Sequence, residues 1–229
     1  MNNNKLKVNN IKNLNFVLPI FIGLIISLVL NFIINLYIGL NPYNLVENFK
    51  IILGQMSNWF IVIILFLIVL FWEKNSLVSL GLKKITFKNL IWGFIGLILG
   101  FIIFFISDLL INFLDLVSQS SKGVNLLLIP FSIRLFMVIS TGITEEIIFR
   151  GYLIERINML TKSLIFSSIF SLISFTIFHI PFWGITGAFQ VAVWAIPITV
   201  LYARYRNLTI CIIVHILYDT QILIPFIFD

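Results

Sequence analysis

Residues 16–38 read FVLPIFIGLIISLVLNFIINLYI, a run of 23 residues that contains no charged side chain. A transmembrane α-helix needs about 20 predominantly apolar residues to cross the roughly 30 Å hydrocarbon core of a bilayer. A cleaved signal peptide has a shorter apolar region and a small-residue cleavage site, and this stretch shows neither. It therefore predicts a first membrane-spanning helix that is not removed.

Apolar runs of similar length recur along the chain of 229 residues, which is 60% hydrophobic and only 10% charged. Soluble domains carry about 25% charged residues, so the composition excludes an ordinary soluble protein. We predict an all-α polytopic membrane protein, a helical bundle with about seven transmembrane helices, or eight if the segment around Pro181–Gly187 adds one. The predicted spans are 16–38, 56–72, 90–113, 127–149, 163–181, 185–203 and 208–228.

The basic residues lie between these runs and form no cluster of the kind that binds nucleic acid, although the net charge is +6. Cytoplasmic loops of membrane proteins carry an excess of Lys and Arg. With the N-terminus inside, eleven basic residues fall in inner segments and two, Lys50 and Lys122, in outer ones. We therefore expect a protein of the cell membrane with a cytoplasmic N-terminus. The eleven are Lys5, Lys7, Lys12, Lys74, Lys83, Lys84, Lys88, Arg156, Lys162, Arg204 and Arg206.

Charged residues also occur inside the predicted spans, where each costs about 2.5–3.5 kcal/mol at the helix centre. The fourth span ends in TEEIIFRG, residues 144–151. On a helix, Glu146 and Arg150 are four residues apart and can form an ion pair. Glu145 lies about 100° further round the helix and has no such partner. Glu145 is therefore the carboxylate that is free to react.

Both histidines of the chain lie in apolar runs, each with a second distinctive residue one turn away. Phe175 shares a helix face with His179 in the fifth span, and His215 shares one with Asp219 in the seventh. Taken singly, these groups could be a buried ion pair and interhelical hydrogen bonds. Together they favour a catalytic or transport site. Asp108 is interpreted as structural.

The three patterns are EExxxR at 145–150, FxxxH at 175–179 and HxxxD at 215–219. In this order they resemble the motifs of the CPBP intramembrane proteases. That family includes type II CAAX prenyl endopeptidases and the bacterial bacteriocin-processing and immunity (Abi) proteins. The resemblance divides the chain into N-terminal helices 1–3, residues 1–126, and a CPBP/Abi-type catalytic core of helices 4–7, residues 127–228.

The resemblance implies a role for each matching residue. Glu145 and His179 would activate a water molecule that attacks a peptide carbonyl, and His215 with Asp219 would stabilise the oxyanion. Asp219 stands where the family frequently has asparagine. Because an ionised carboxylate repels an oxyanion, we expect Asp219 to orient the imidazole of His215 instead, as the triad aspartate does in serine proteases.

Glu146 and Arg150 would support these groups. One glutamate and two histidines, Glu145, His179 and His215, could alternatively hold zinc or another divalent metal with an open water position. The chain has no HExxH helix that would bring two ligands together, and a carboxylate bound to zinc is less available as a base. We therefore favour a mechanism that requires no cofactor.

Three functions fit these residues. The first is an intramembrane endopeptidase that acts on a peptide or membrane-protein substrate within the lipid bilayer, from a site that we expect to open towards the cytoplasm. The second is a non-catalytic membrane protein of the bacteriocin self-immunity or scaffold type. The third is a proton-coupled transporter, for which inverted repeats would be expected and none is seen.

Overall fold

The computed structural model describes residues 17–40, 47–116 and 128–224, and every regular element in these ranges is a helix. The all-α prediction is confirmed. Helix α1 begins at Val17, passes through a π-helical turn at Ile26–Leu30 and ends as Asn31–Leu40. Helix α2 is Glu47–Leu67, continued by a π-helical turn at Ile68–Trp72, and a 3₁₀ turn follows at Leu77–Leu80. Helix α3 is Phe87–Phe113.

The second half of the chain contains the remaining helices. Helix α4, Phe131–Glu145, leads into a π-helical segment at Glu146–Ile154 and then into α5, Glu155–Thr161. Helix α6 is Leu164–Tyr205, and α7 is Leu208–Asp219 with a final 3₁₀ turn at Thr220–Leu223. Residues 225–228 of the predicted seventh span lie outside the described residues.

Four of the described helices are long and apolar enough to cross a membrane: Val17–Ile38, Asn48–Trp72, Phe87–Phe113 and Leu164–Tyr205. Their outward side chains are large and apolar, for example Phe60, Phe94 and Phe105, each more than half exposed. Such a surface suits lipid rather than water. The fold is that of an integral membrane protein, and the count of seven spans stays a prediction.

The longest helix, α6, contains 42 residues. As one straight helix it would measure about 63 Å, twice the thickness of the hydrocarbon core. Gly184 interrupts it with φ 65° and ψ −176°, a conformation that glycine adopts without a steric cost. Residues 164–172 and 196–203 line one shared groove, so the chain reverses at this break. The two halves correspond to the predicted spans 163–181 and 185–203.

The fourth predicted span, 127–149, is wrong at its end, and residues 151–162 do not form the polar connection that we expected. The helix continues through the π-helical segment to Thr161. All nine residues of that segment are buried. A helix that is buried on all sides lies in the core of a bundle. Its charged residues can stay inside because each is paired: Glu146 with Arg150 one turn away, and Glu155 and Arg156 with partners from distant parts of the chain.

Helix α4 lies very close to α7, and Gly142 makes this approach feasible. A Cβ atom added at Gly142 would stand 3.1 Å from the backbone nitrogen of Ile216 and 2.5 Å from its Cγ1. Small residues at helix interfaces allow such close approach in membranes. The contact brings Glu145 and Glu146, one turn further along, beside His215.

Candidate active site

Three buried side chains from two elements form the centre of the site. One carboxylate oxygen, Glu146 Oε1, lies 2.9 Å from Arg150 Nη1 and 2.8 Å from His215 Nδ1. A carboxylate oxygen only accepts hydrogen bonds, so both nitrogens donate to it. The side chains of Glu146, Arg150 and His215 are at most 2% exposed. The ion pair expected from the spacing of Glu146 and Arg150 is present, and His215 joins it.

Arg150 connects this centre to both halves of α6. Its Nη2 donates to Thr199 Oγ1 at 3.4 Å, and its guanidinium carbon lies 4.5 Å from the centre of the Phe175 ring. A cation over an aromatic face is attracted by the negative face of the ring. A single arginine therefore fixes the positions of three helical segments around the site.

The second nitrogen of His215 faces two further carboxylates. Its Nε2 lies 3.5 Å from Asp219 Oδ2 and 3.9 Å from Glu145 Oε2. The side chains of Asp219 and Glu145 are 13% and 16% exposed, in contrast to that of Glu146, which is fully buried. Glu146 is thus the closer partner that orients the imidazole, and Asp219 stands at the other nitrogen.

His179 enters the site through Phe175. Its Nδ1 lies 2.7 Å from the Phe175 carbonyl oxygen. A carbonyl oxygen cannot donate, so Nδ1 carries the proton, and in the neutral ring Nε2 keeps a lone pair that can accept a hydrogen bond. The two rings are 4.5 Å apart between centroids.

The structure therefore brings together all six residues that the sequence singled out. Five of them are joined by contacts of 2.8–3.9 Å between their ionisable groups. The sixth, His179, packs against the ring of Phe175, and the guanidinium of Arg150 lies over the same ring. The five are Glu145, Glu146, Arg150, His215 and Asp219.

Two aromatic residues of the site were missed by sequence reasoning. The Trp194 ring meets the His215 ring edge to face at 4.9 Å and stacks on Tyr218 at 4.0 Å with an interplanar angle of 8°. Trp194 is 6% exposed and lies in the core. No sequence signal distinguishes it from the other tryptophans, whereas Tyr218 adjoins Asp219.

A second buried polar network lies between the site and the Leu77–Leu80 turn. The carboxylate of Glu73 lies 2.7 Å from Arg156 Nη2 and accepts a hydrogen bond from Tyr152 at 3.0 Å. Glu155 forms the corresponding ion pair with Arg206. These residues were assigned to loops, and their buried pairing could not be seen because the partners lie up to 83 positions apart.

Among the described residues, no group of three or more His, Cys, Asp or Glu side chains is arranged to hold a metal ion, and this includes Glu145, His179 and His215.

Fold and site together define an integral membrane protein with a buried cluster of carboxylates and imidazoles. Residues 126–221 match the family model described as type II CAAX prenyl endopeptidase Rce1-like. This match confirms the family resemblance that the three motifs predicted, and it supports a protease. It covers all three motifs and less than half of the chain. No curated protein and no solved structure matches the chain.

Proposed function

We propose that this protein is an intramembrane endopeptidase in which Glu145 and His179 activate a water molecule for the hydrolysis of a peptide bond. The family match to residues 126–221 supports a protease. The observation that carries the proposal is the buried cluster within the same residues: His215 bridges Glu146 to Glu145 and Asp219. Ionisable groups at membrane depth are costly and are typically functional.

Glu145 is the proposed general base. It is the glutamate of the pair that does not contact Arg150 in an ion pair, and it keeps 16% of its side chain exposed. It can therefore reach a water molecule that Glu146, fully buried and bound to two donors, cannot. His179 presents Nε2 as a second acceptor that orients the same water, since its Nδ1 is held by the Phe175 carbonyl.

His215 is the proposed donor to the oxyanion. Glu146 holds Nδ1, so Nε2 is the nitrogen available to the substrate and, when protonated, it can donate to the oxygen of the attacked carbonyl. Asp219 at 3.5 Å orients and balances the charge of the ring. Arg150 holds Glu146 in place through their ion pair, and it does not itself reach the reacting atoms.

The chemical steps balance without a cofactor. The oxygen of water attacks the peptide carbonyl carbon while Glu145 takes one of its protons. Glu145 then gives that proton to the amide nitrogen, the carbon–nitrogen bond breaks, and a carboxylic acid and an amine leave. A base that returns its proton as an acid follows the usual course of general acid–base catalysis.

The test compares the peptides of membranes that contain the wild type, Glu145→Ala or His179→Ala. We expect both variants to insert normally and to accumulate the same uncleaved precursor. Thr176→Ala is the matched control, because Thr176 lies three positions before His179 while its hydroxyl donates to the Leu172 carbonyl of its own helix. Full cleavage by both purified variants would contradict the proposal that Glu145 and His179 activate the water molecule for hydrolysis.

The alternative is a non-catalytic immunity or scaffold protein of the same fold. The observation that favours it is the buried Glu146–Arg150–His215 ion-pair group, which a purely structural polar core could also contain. Under this alternative, cells that carry Glu145→Ala would keep the wild-type phenotype. Under the proposal they would lose it.

A further inference from the structure

A groove of about 400 Å³ lies on the surface of the bundle, between the two halves of α6. Its walls come from residues 164–172 and 196–203, and those at its edges, such as Ile165 and Val200, are apolar and exposed. The volume falls within the range of about 300–1,000 Å³ that is typical of small-molecule sites. Because this surface suits lipid rather than water, a molecule of the bilayer can occupy the groove.

The groove begins at one end of the bundle, which we call the basic end. There the connection 73–86 meets the turn at 206–207, where Leu208 N donates to Gly81 O at 2.7 Å. Both walls of the groove start at this end, because they belong to the first and the last turns of α6. At 1.5 Å per residue, the wall 164–172 extends about 12 Å from the basic end along the helix.

Two cationic residues stand where the groove begins. Lys162 lies two positions before the first lining residue, and Arg204 directly follows the last one. Both are exposed, and neither forms an ion pair with another described residue. The N-terminus of α6, at Leu164, adds a partial positive charge. The groove is therefore positive at its beginning and apolar along its walls, a combination that matches the phosphate and the acyl chain of a phospholipid.

One side chain that lines the groove lacks a hydrogen-bond partner. Ser168 is 8% exposed, and its hydroxyl has no partner among the described residues. The hydroxyls of Ser167 and Ser171, on the same helix, donate to backbone carbonyls instead. A buried polar group without a partner is costly, so an acceptor in the groove would be favoured. Ser168 lies about 6 Å deeper than Leu164, at the level where the ester carbonyl of a lipid follows its phosphate.

We propose that this groove binds an anionic phospholipid of the bilayer. The phosphate lies between Lys162 and Arg204, an ester carbonyl accepts a hydrogen bond from Ser168, and one acyl chain fills the space between the two halves of α6. In the orientation that the basic residues predict, the basic end is cytoplasmic, and anionic lipids give the cytoplasmic leaflet its negative surface potential. The proposal goes beyond the proposed peptidase activity and does not depend on it.

The groove borders the cluster of carboxylates and imidazoles through Thr199. This residue lines the groove, and its hydroxyl accepts a hydrogen bond from Arg150 Nη2 at 3.4 Å and donates to the Ala195 carbonyl at 2.9 Å. An acyl chain packed against Thr199 contacts both halves of α6 and holds them together. We therefore expect the lipid to raise the unfolding temperature, because a ligand that binds only the folded state stabilises it by mass action.

Lipid retention measured by native mass spectrometry tests the need for the two charges. The full-length protein is exposed to equal amounts of phosphatidylglycerol, which is anionic, and phosphatidylcholine, which has no net charge, with identical acyl chains. We expect the wild type to retain the anionic lipid at least tenfold better, and Lys162→Gln/Arg204→Gln to lose this preference. Lys83→Gln/Lys88→Gln, which removes two exposed charges at the same end outside the groove, is the matched control and should keep it. Equal retention of both lipids by the wild type overturns the proposal, and so does equal behaviour of the two double variants.

Filling the groove tests where the lipid binds. Val200→Trp places a large ring in the groove, whereas Ile106→Trp places the same ring on an exposed position of α3 outside it. We expect Val200→Trp to lose the bound phosphatidylglycerol and the rise in unfolding temperature that this lipid gives the wild type, and Ile106→Trp to keep both. Unfolding in phosphatidylcholine alone checks that each variant is folded.

The hydroxyl of Ser168 has a test in the same assay. Ser168→Ala should bind phosphatidylglycerol about two- to tenfold more weakly, as expected for the loss of one hydrogen bond. Full retention of this lipid by Val200→Trp or by Ser168→Ala overturns the proposed site. A dimer that forms in the absence of lipid and is lost in Val200→Trp, seen in the same spectra, would assign the groove to a second copy of the chain and overturn the proposal as well.

Discussion

Glu145 and Glu146 are neighbours in sequence, but their surroundings give them different tasks. Glu146 is fully buried and accepts from Arg150 and His215, whereas Glu145 is partly exposed and 3.9 Å from His215. Removing one partner of a buried ion pair costs about 3–5 kcal/mol, because a charge is left without compensation. Substituting each glutamate in turn therefore separates an effect on stability, expected at Glu146, from an effect on catalysis, expected at Glu145.

We predict that Glu146→Gln lowers the free energy of unfolding by about 3–5 kcal/mol, since Arg150 is left buried without a full counter-charge. Glu145→Gln should cost less than about 1 kcal/mol yet reduce cleavage at least 100-fold, as expected for loss of a general base. Thermal unfolding in detergent and a cleavage assay measure the two effects. Equal destabilisation by both substitutions would contradict the division of roles.

The role of Asp219 has its own test. An asparagine at this position can accept a hydrogen bond from His215 and can also donate to an oxyanion. We predict that Asp219→Asn keeps most of the cleavage rate, and that Asp219→Ala loses at least about tenfold, because His215 Nε2 then lacks its 3.5 Å partner. The measurement is kcat at saturating peptide. If Asp219→Asn lowers kcat as much as Asp219→Ala does, the negative charge of Asp219 is required and the prediction is wrong.

The polar residues of the site could be found from sequence because each stands out in an apolar helix. Charged groups and histidines are costly at membrane depth, so Glu145, Arg150 and His215 are visible without any structure. Trp194 could not be found in this way, since aromatic residues make up 15% of the chain. What makes Trp194 part of the site is the packing of its ring against His215, which depends on the chain reversal at Gly184.

At the scale of helices, hydropathy located the spans but not all of their ends. The break at Gly184 agrees with the predicted boundary between the spans 163–181 and 185–203. Pro181 and Gly184 interrupt an otherwise apolar run there. The continuation of the fourth helix to Thr161 was missed because Glu155 and Arg156 resemble a polar connection. Their buried partners, Arg206 and Glu73, lie on other segments, and such pairings cannot be derived from hydropathy.

The close approach of α4 and α7 leads to a prediction about two glycines. A Cβ at Gly142 would stand 3.1 Å from Ile216 N, whereas a Cβ at Gly96 would meet nothing within 4 Å. Gly142→Ala should therefore push α4 away from α7, separate Glu146 from His215 and cost about 1–3 kcal/mol as overpacking does. Gly96→Ala should be neutral or stabilise α3 by up to about 1 kcal/mol.

Thermal unfolding and cleavage rate together check this prediction. Gly142→Ala should lose cleavage as well as stability, and Gly96→Ala should lose neither. Equal behaviour of the two variants would show that the Gly142 contact does not position the site. The free space at Gly96 also means that α3 makes no close contact at this glycine with the other described residues.

At the scale of the whole molecule, the Glu73–Arg156 ion pair joins the two halves of the chain. It attaches the connection 73–86 to the core that the second half forms. Both side chains are 0% exposed, so each charge is compensated only by the other and by their polar neighbours. Breaking a buried pair by removing one member costs about 3–5 kcal/mol, whereas replacing both by apolar or neutral groups is often close to neutral. A double-mutant cycle separates these terms.

We predict that Glu73→Gln and Arg156→Met each lower the free energy of unfolding by about 3–5 kcal/mol, and that the double variant loses clearly less than the sum. Arg204→Met, which changes a basic residue at the same end that is not in this pair, is the control and should change stability by less than about 1 kcal/mol. Unfolding in detergent measures all four proteins. If the losses simply add, the two charges act independently, and the attachment of the connection 73–86 to the core cannot depend on their pairing.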